Sequence, residues 1–425
     1  MKKLLSLLLT LALTASLFTA CGSKTENAAP TPNPATTEAP VATPEPTATP
    51  EPTATTAPTA TPVPYDKSVT LMNTYGTVLD YSGVCISQAK NLENVYTVKN
   101  IKKHYNSVTS ENEMKPDAIL GGKATLITIE EAKELGYVIP DNYTDTMVPK
   151  LNFATTDLAM KLCTENELGL RFHTLVWHSQ TPDWFFSSDY TAGNALVSAD
   201  VMDARLEFYI RTVMKHVYDS EYGGCVYAWD VVNEYWNAHS FNWIAIYGKQ
   251  NYTPSYVKLA FEVADDMLKQ YGIRDKVTLV FNDFNTYMNS QHLISIMEFI
   301  NSEEKLCDAF GMQAHLDTGY PSVSLFTNTV QKFLNTGCDV QITELDVTCK
   351  NLDVQATYYY NLMKGILEIK KDGGNLTGIT YWGMADDKSW RSEGKPLLFS
   401  MSGVAKDAYY KVLEAFEAVG YEIQN

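Results

Sequence analysis

A single (β/α)8 barrel of the α/β class, preceded by a disordered stalk, is the architecture this sequence predicts, and three observations point to it. Eight short β-rich runs alternate with amphipathic stretches over most of the chain. No glycine-rich phosphate loop follows any run, and polar residues gather after many runs instead of at one crossing point. Several runs are continuously apolar, as parallel strands covered on both faces must be. Right-handed crossovers close eight such strands into a barrel, whereas an open doubly wound sheet would need a single switch point.

In chain order the expected strands fall near 81–87, 105–109, 169–177, 226–233, 277–282, 309–315, 340–345 and 377–382. Amphipathic stretches lie between them at Ala199 to Val217, Ser255 to Gln270, Ser290 to Asn301, Val323 to Asn335 and Val354 to Lys370. A last one runs from Ala405 to Val419. Each presents one apolar face, which a helix lying on a sheet requires.

Ahead of the barrel the chain is built differently. Lys2 and Lys3 precede an apolar run from Leu4 to Ala20, the layout of a secretory signal over residues 1–20 and marginal for a membrane span. Leu17-Phe18-Thr19-Ala20-Cys21 resembles a bacterial lipobox, with Phe18 where leucine is more usual, so Cys21 is the expected lipidation site. Residues 21–64 are mostly Pro, Thr, Ala and Glu and hold the larger share of the 18 prolines. A segment with so little to bury stays extended and solvated. The expectation is an exported protein, lipid-anchored at the bacterial cell surface or secreted outright, whose folded domain spans 65–425.

The chain is 45% hydrophobic and 12% aromatic, with a formal charge of −17. Signal and stalk contribute little of that charge, so the domain itself is acidic. Nucleic acid is thereby disfavoured as a partner, and a neutral polymer fits better. Cys85, Cys163, Cys225, Cys307, Cys338 and Cys349 follow Cys21 without metal-binding spacing, so buried thiols are expected, with a Cys338 to Cys349 bridge left open. No metal or organic cofactor is called for, membrane contact is expected through the lipid alone, and a monomer is the expected state.

Strand ends carry the chemistry. The buried run Cys225 to Trp236 delivers Asp230, Asn233 and Glu234 near its exit, and a strand end is a rigid mount for a carboxyl group. A second run, Asp339 to Val347, brings Glu344 and Asp346. The interval between the glutamates is 344 − 234 = 110 residues, and at about 30 residues per βα unit it sets them three or four strands apart, across the barrel mouth. Paired carboxylates across a cleft are what hydrolysis of a glycosidic bond requires. After the second strand, Glu111, Asn112 and Lys115 form a fork suited to sugar hydroxyls; the third strand brings His173, Trp177, His178 and Gln180.

Glu111-Asn112-x-x-Lys115, His173-Thr-Leu-Val-Trp177-His178, Trp229-Asp-Val-Val-Asn233-Glu234 and Thr343-Glu344-Leu-Asp346, in that order, resemble the motifs of glycoside hydrolase family 10, the endo-β-1,4-xylanases. The resemblance covers about 80–420. It implies endo-acting, retaining hydrolysis of xylan or xylo-oligosaccharides, with Glu234 as acid/base and Glu344 as nucleophile. It places Glu111, Asn112, Lys115, His173, Trp177 and Asn233 on the glycone side, and Gln313 and His315 beside the nucleophile. Trp382 and Trp390 become platform and lid over the reacting sugar, and Gln180 and Asn282 join the expected substrate contacts. His315 and Asp346 are expected to orient Glu344, Asn233 to bond the sugar 2-hydroxyl, and Asp230 to support the site. Crowding by carboxylates and aromatics is expected to keep Glu234 protonated. Retention asks for carboxyls about 5–5.5 Å apart, inversion for about 6.5–9.5 Å.

The chain also departs from the family pattern. Phe284 stands in the place of a tyrosine, Pro116 where an aromatic is frequent, and Phe172 where glycine is common. The long segment 116–150 is expected to cover or lengthen the cleft. Two other readings exist: a retaining β-1,4-glucanase on a related barrel, and a non-catalytic xylan-binding surface lipoprotein. The intact glutamate pair disfavours the second, since a mere binder gains nothing from two apposed buried acids.

Overall fold

The computed structural model describes residues 68–237 and 240–424; the signal run, Cys21 and the Pro/Thr-rich stalk lie outside the described residues. Eight strands carry the domain: β1 (Tyr81–Ile86), β2 (Ser107–Ser110), β3 (Gly169–Trp177), β4 (Val226–Asn233), β5 (Thr278–Asp283), β6 (Ala309–Met312), β7 (Asp339–Thr348) and β8 (Leu376–Tyr381). All pair in parallel in chain order, and β8 pairs back onto β1, so the sheet closes into a barrel. Shorter helices aside, one main helix follows each strand: α1 (Val95–His104), α2 (Ala154–Glu165), α3 (Ala199–Asp219), α4 (Ser255–Gln270), α5 (Ser290–Ile300), α6 (Val323–Leu334), α7 (Leu352–Lys371) and α8 (Asp407–Ala418).

The expected sixth strand, 309–315, breaks after Met312. Ala314 takes a φ of +63°, and the short strand His315–Asp317 leaves β6 to pair with the end of β7 at Asp346–Thr348. That left-handed step turns Gln313 and His315 into the mouth, and it lets β7 run on past Glu344. Neither α1 nor α2 stood out in the sequence; α1 buries only Val98, Ile101 and His104 among charged neighbours.

Between barrel and helices the core is apolar, with Phe172 stacked on Trp229 at 4.1 Å and the Trp229 indole donating to Tyr218 at 2.7 Å. Inside the barrel, Tyr81 and Tyr227 stack at 3.5 Å, and elsewhere in the interior lies a layer of charge. Arg171 is 1% exposed and grips Asp230 with two nitrogens, and Asp230 Oδ2 also meets His173 Nδ1 at 2.9 Å. A buried charge survives when paired and hydrogen-bonded. Burial pushes the Asp230 carboxyl up, but Arg171 and His173 outweigh it and hold the group below the usual range.

Segment 116–150 folds as two short helices and a hairpin of Leu126–Thr128 with Met147–Pro149. It leans on the loop after β3. Asp145 accepts from the fully buried Arg205 of α3 at 2.7 and 3.0 Å, and Arg205 lies over the Tyr190 ring at 3.8 Å. Gly121 O accepts from Trp184 Nε1 at 3.0 Å. The six cysteines are free thiols, so Cys338 and Cys349 are not bridged. Among the described residues no helix is long and apolar enough to cross a membrane, and no side-chain group has the makeup of a metal site.

Candidate active site

The strand ends open into one cleft of about 610 Å³. Glu234 and Glu344 both line it, with Glu111, Asn112, Lys115, His173, Trp177, Asn233, Gln313, His315, Trp382 and Trp390. Four residues expected at the site stand outside that lining: Asp230, Asn282, Asp346 and Gln180. Asp230 is the interior strut beneath His173. Gln180 donates to Asp117 at 3.2 Å, which ties the loop after β3 to the start of segment 116–150. No residue of 116–150 lines the cleft, in contrast to the expectation that this segment covers or lengthens it.

The Glu344 half is built from below. Asn282 is fully buried between β4 and β7, and its Nδ2 donates to Glu344 Oε1 and to Asn233 Oδ1, each at 2.8 Å. Thr343 Oγ1 donates to Asn282 Oδ1 at 2.6 Å, which fixes which way the amide points. Gly311 makes room for it, since a Cβ there would lie 2.3 Å from that oxygen. Asn282, expected to touch substrate, is therefore a positioning residue under both Asn233 and Glu344.

From above, His315 Nε2 sits 3.1 Å from Glu344 Oε2, and its Nδ1 sits 3.0 Å from Asp346 Oδ2. Asp346 also meets Arg391 at 2.5 Å and the Trp390 indole at 3.0 Å. Burial alone would lower the imidazole, but Asp346 and Glu344 push it up to about 9. An imidazolium thus bridges two carboxylates, and a pH effect follows. The folded value lies above the unfolded one of about 6.5, so this stabilisation is full below pH 6.5 and is lost as pH rises to about 9. The melting temperature is expected to fall across that window, and less steeply in His315→Gln. An unchanged slope in the variant would count against the bridge.

The Glu234 half hangs on a left-handed residue. Glu234 itself has a φ of +59°, held by its N–H donating to Asn282 O at 2.8 Å. Non-glycine residues rarely occupy this region, and those that do cluster at functional sites. Trp177 Nε1 and His178 Nε2 reach Oε2 at 2.7 and 2.8 Å, and Gln313 Nε2 donates to Oε1 at 2.8 Å. Burial is the strongest single influence and pushes this carboxyl up. Together the three hydrogen bonds outweigh it and leave the group below the ordinary glutamate range. The expectation of a protonated Glu234 is thereby corrected: the hydrogen-bond donors around it outweigh its burial.

Gln313 Nε2 also lies 3.2 Å from Asn233 Oδ1. An unbroken amide path thus joins Glu234 through Gln313, Asn233 and Asn282 to Glu344. Asn233 Nδ2 has no partner among the described residues. Leaving a buried donor unpaired costs about 1–3 kcal/mol, and a hydroxyl in the cleft would recover it. Elsewhere in the cleft, Lys115 Nζ lies over the Trp177 ring at 4.5 Å and donates to Asn112 at 3.1 Å. Burial raises Glu111, which the Lys115 charge partly offsets, and lowers Lys115, which the Glu344 charge and more weakly that of Glu111 partly offset. His173 and His315 meet the Trp382 ring at 5.4 and 6.2 Å, and Trp390 packs on His315 at 4.9 Å.

Sequence reasoning gave no role to His178, Asp283 or Arg391. His178 stood within a quoted motif, but no spacing rule tells a glutamate's partner from a loop histidine. Asp283 is buried, accepting from the N–H of Trp236 at 3.0 Å, the N–H of Phe284 at 2.8 Å and Asn237 Nδ2 at 3.2 Å. It clamps the turn that follows Glu234. Burial, reinforced by the Glu234 charge, raises it to about 7. Asp283→Asn puts an NH2 against this ring of donors, so kcat on an aryl xylobioside is expected to fall about tenfold with KM little changed. Unaltered kcat would exclude the clamp.

The sequence model of glycosyl hydrolase family 10 matches residues 70–415. Endo-1,4-β-xylanase A of Butyrivibrio fibrisolvens is 47% identical over 350 residues, 82% of this chain and 85% of that protein. A bifunctional endo-1,4-β-xylanase of Ruminococcus flavefaciens is 36% identical over 327 residues, 74% of this chain but only 31% of that longer protein. Among solved structures, a two-module fragment of a Clostridium thermocellum endo-1,4-β-D-xylanase complexed with xylohexaose has a TM-score of 0.67 at 27% identity, covering 82% of this chain and 67% of that one. An endo-1,4-β-xylanase from Caldicellulosiruptor owensensis gives 0.62 at 27% identity, covering 79% and 97%. The closed eight-stranded barrel, the ordered motifs around its mouth and these matches together make the chain a member of glycosyl hydrolase family 10.

Proposed function

We propose that this protein is an endo-acting β-1,4-xylanase that cleaves xylan with retention of configuration. The observation that carries this reading is the amide path that fixes Glu234 and Glu344 over a single open cleft. Glu344 attacks the anomeric carbon, the glycosidic C–O bond breaks, and Glu234 gives its proton to the leaving oxygen. Water then loses a proton to Glu234 and attacks the same carbon, freeing Glu344. Glu234 rests in the form that this second step needs. For the first, a sugar in the cleft excludes water, raises the cost of the Glu234 charge and so favours the protonated acid that the leaving oxygen needs. The unpaired Asn233 Nδ2 donates to the sugar 2-hydroxyl as positive charge builds on the ring.

Substrate choice rests on the tryptophans. Trp382 is 6% exposed against His173 and His315, while Trp390 is 59% exposed yet tethered to Asp346, as a lid would be. Such walls suit a pentose ring better than one carrying a hydroxymethyl group. Reducing-sugar release by the full chain from xylan, far above that from carboxymethylcellulose and lost in Glu344→Gln, is the expected result. Equal release from both polymers would replace xylan with a glucan.

The setting is inferred from the sequence. Residues 1–20 direct export, Cys21 carries lipid, and 21–64 tether a monomeric catalytic domain over 65–425 that works on neutral polysaccharide without cofactor or nucleic acid. Cys21→Ser is expected to abolish incorporation of labelled fatty acid and to shift xylanase activity into the medium. Label retained in the variant would refute the anchor.

A further inference from the structure

A pocket of about 330 Å³, separate from the cleft, opens on the barrel flank between α1, α8 and the hairpin of Phe399–Met401 with Val404–Ala405. It is lined by His104, the last residue of α1, only 7% exposed. Rings box the imidazole: Tyr105 at 5.9 Å, Phe399 at 5.1 Å and Tyr409 edge-on at 5.4 Å. Among the described residues its Nδ1 has no hydrogen-bond partner. Buried polar atoms in folded proteins nearly always find partners, so an orphan calls for an explanation. An apolar ring would fill this aromatic box without leaving a nitrogen unpaired.

The surrounding chemistry narrows what the pocket takes. Burial, helped by the Lys103 charge, lowers His104 to about 4, so the imidazole is neutral at ordinary pH and adds no charge to the pocket wall. Tyr409 and Tyr410 meet at 80° with centroids 5.3 Å apart, and Tyr410 is 41% exposed. At the rim, Asn100 Nδ2 donates to Ser402 Oγ at 3.3 Å. Aromatic walls, an amide, a hydroxyl and a neutral imidazole, with Lys103 the one charged side chain among the lining residues, suit a sugar: rings stack on its apolar face and scattered polar groups meet its hydroxyls.

We propose that this flank pocket is a second carbohydrate-binding site, taking xylose units of a xylan chain while the cleft works on another stretch of polymer. The proposal rests on the xylan reading of the cleft. Two sites on one rigid body make the second engagement intramolecular, and the gain appears on a polymer surface, not on a short soluble substrate.

The test uses the full chain, Tyr410→Ala and His104→Phe, the latter refilling the aromatic box. Adsorption to insoluble xylan in the cold is expected to weaken about tenfold in both variants, while kcat/KM on a soluble aryl xylobioside stays unchanged. Adsorption equal to that of the unsubstituted protein in both variants overturns the flank site. So does a parallel loss of kcat/KM, which would place the damage in the cleft. If the unsubstituted protein fails to hydrolyse xylan, the reading of the cleft falls instead, so the two failures are told apart.

Discussion

Glu344→Gln is expected to lower kcat on xylan by about 10⁴-fold or more while leaving the fold intact. The amide has the shape of the carboxylate but cannot form the glycosyl ester. It also replaces one of the two acceptor oxygens with a donor NH2, so either Asn282 Nδ2 at 2.8 Å or a protonated His315 Nε2 at 3.1 Å loses its acceptor. A second readout follows from the same change. His315 loses one of the two carboxylates that raise it to about 9, so its titration, followed by NMR, is expected to move down. Residual activity within tenfold of the unsubstituted protein would show that another group attacks the sugar.

Glu234→Ala is expected to separate substrates by their leaving group. On xylan, whose departing oxygen needs a proton, kcat falls about 10²–10⁴-fold. A dinitrophenyl xylobioside needs no such help, so its first step proceeds and a burst of phenolate appears. Water attack without a base is then slow, and KM drops as the intermediate accumulates. Azide, which attacks without losing a proton, restores turnover and yields a β-configured xylosyl azide. Equal losses on both substrates would contradict an acid/base role. The resting hydrogen bonds make this variant informative, because Trp177, His178 and Gln313 all lose their acceptor and only the leaving-group dependence isolates the proton.

Much of the barrel was legible because parallel strands covered on both faces read as apolar runs, and β3 and β4 fall where those runs lie. The two glutamates were legible because strand exits in this architecture face a common mouth. What the sequence hid has physical causes. A polar residue inside the barrel looks the same as one at its rim, so Asp230 and Asn282 read as site residues although one pairs with Arg171 below and the other braces the amide path. Nothing about alanine announces a left-handed backbone, so the step at Ala314 that parts β6 from His315 could not be read. Protonation was misjudged for a related reason: composition shows acids crowding together, while the donors that offset burial at Glu234 come from β3 and from the turn after β6. The bracing role of 116–150 depends on Arg205, which is distant in sequence.

The account stands on Glu344 being joined covalently to the sugar. A 2-deoxy-2-fluoro-xylobioside with a good leaving group forms that intermediate and slows its breakdown, and mass spectrometry of the digested protein locates the label. The predicted result is an adduct on Glu344, absent from Glu344→Gln, with β-configured ends released first from xylan. A label on any other residue, or α-configured ends appearing first, would contradict it.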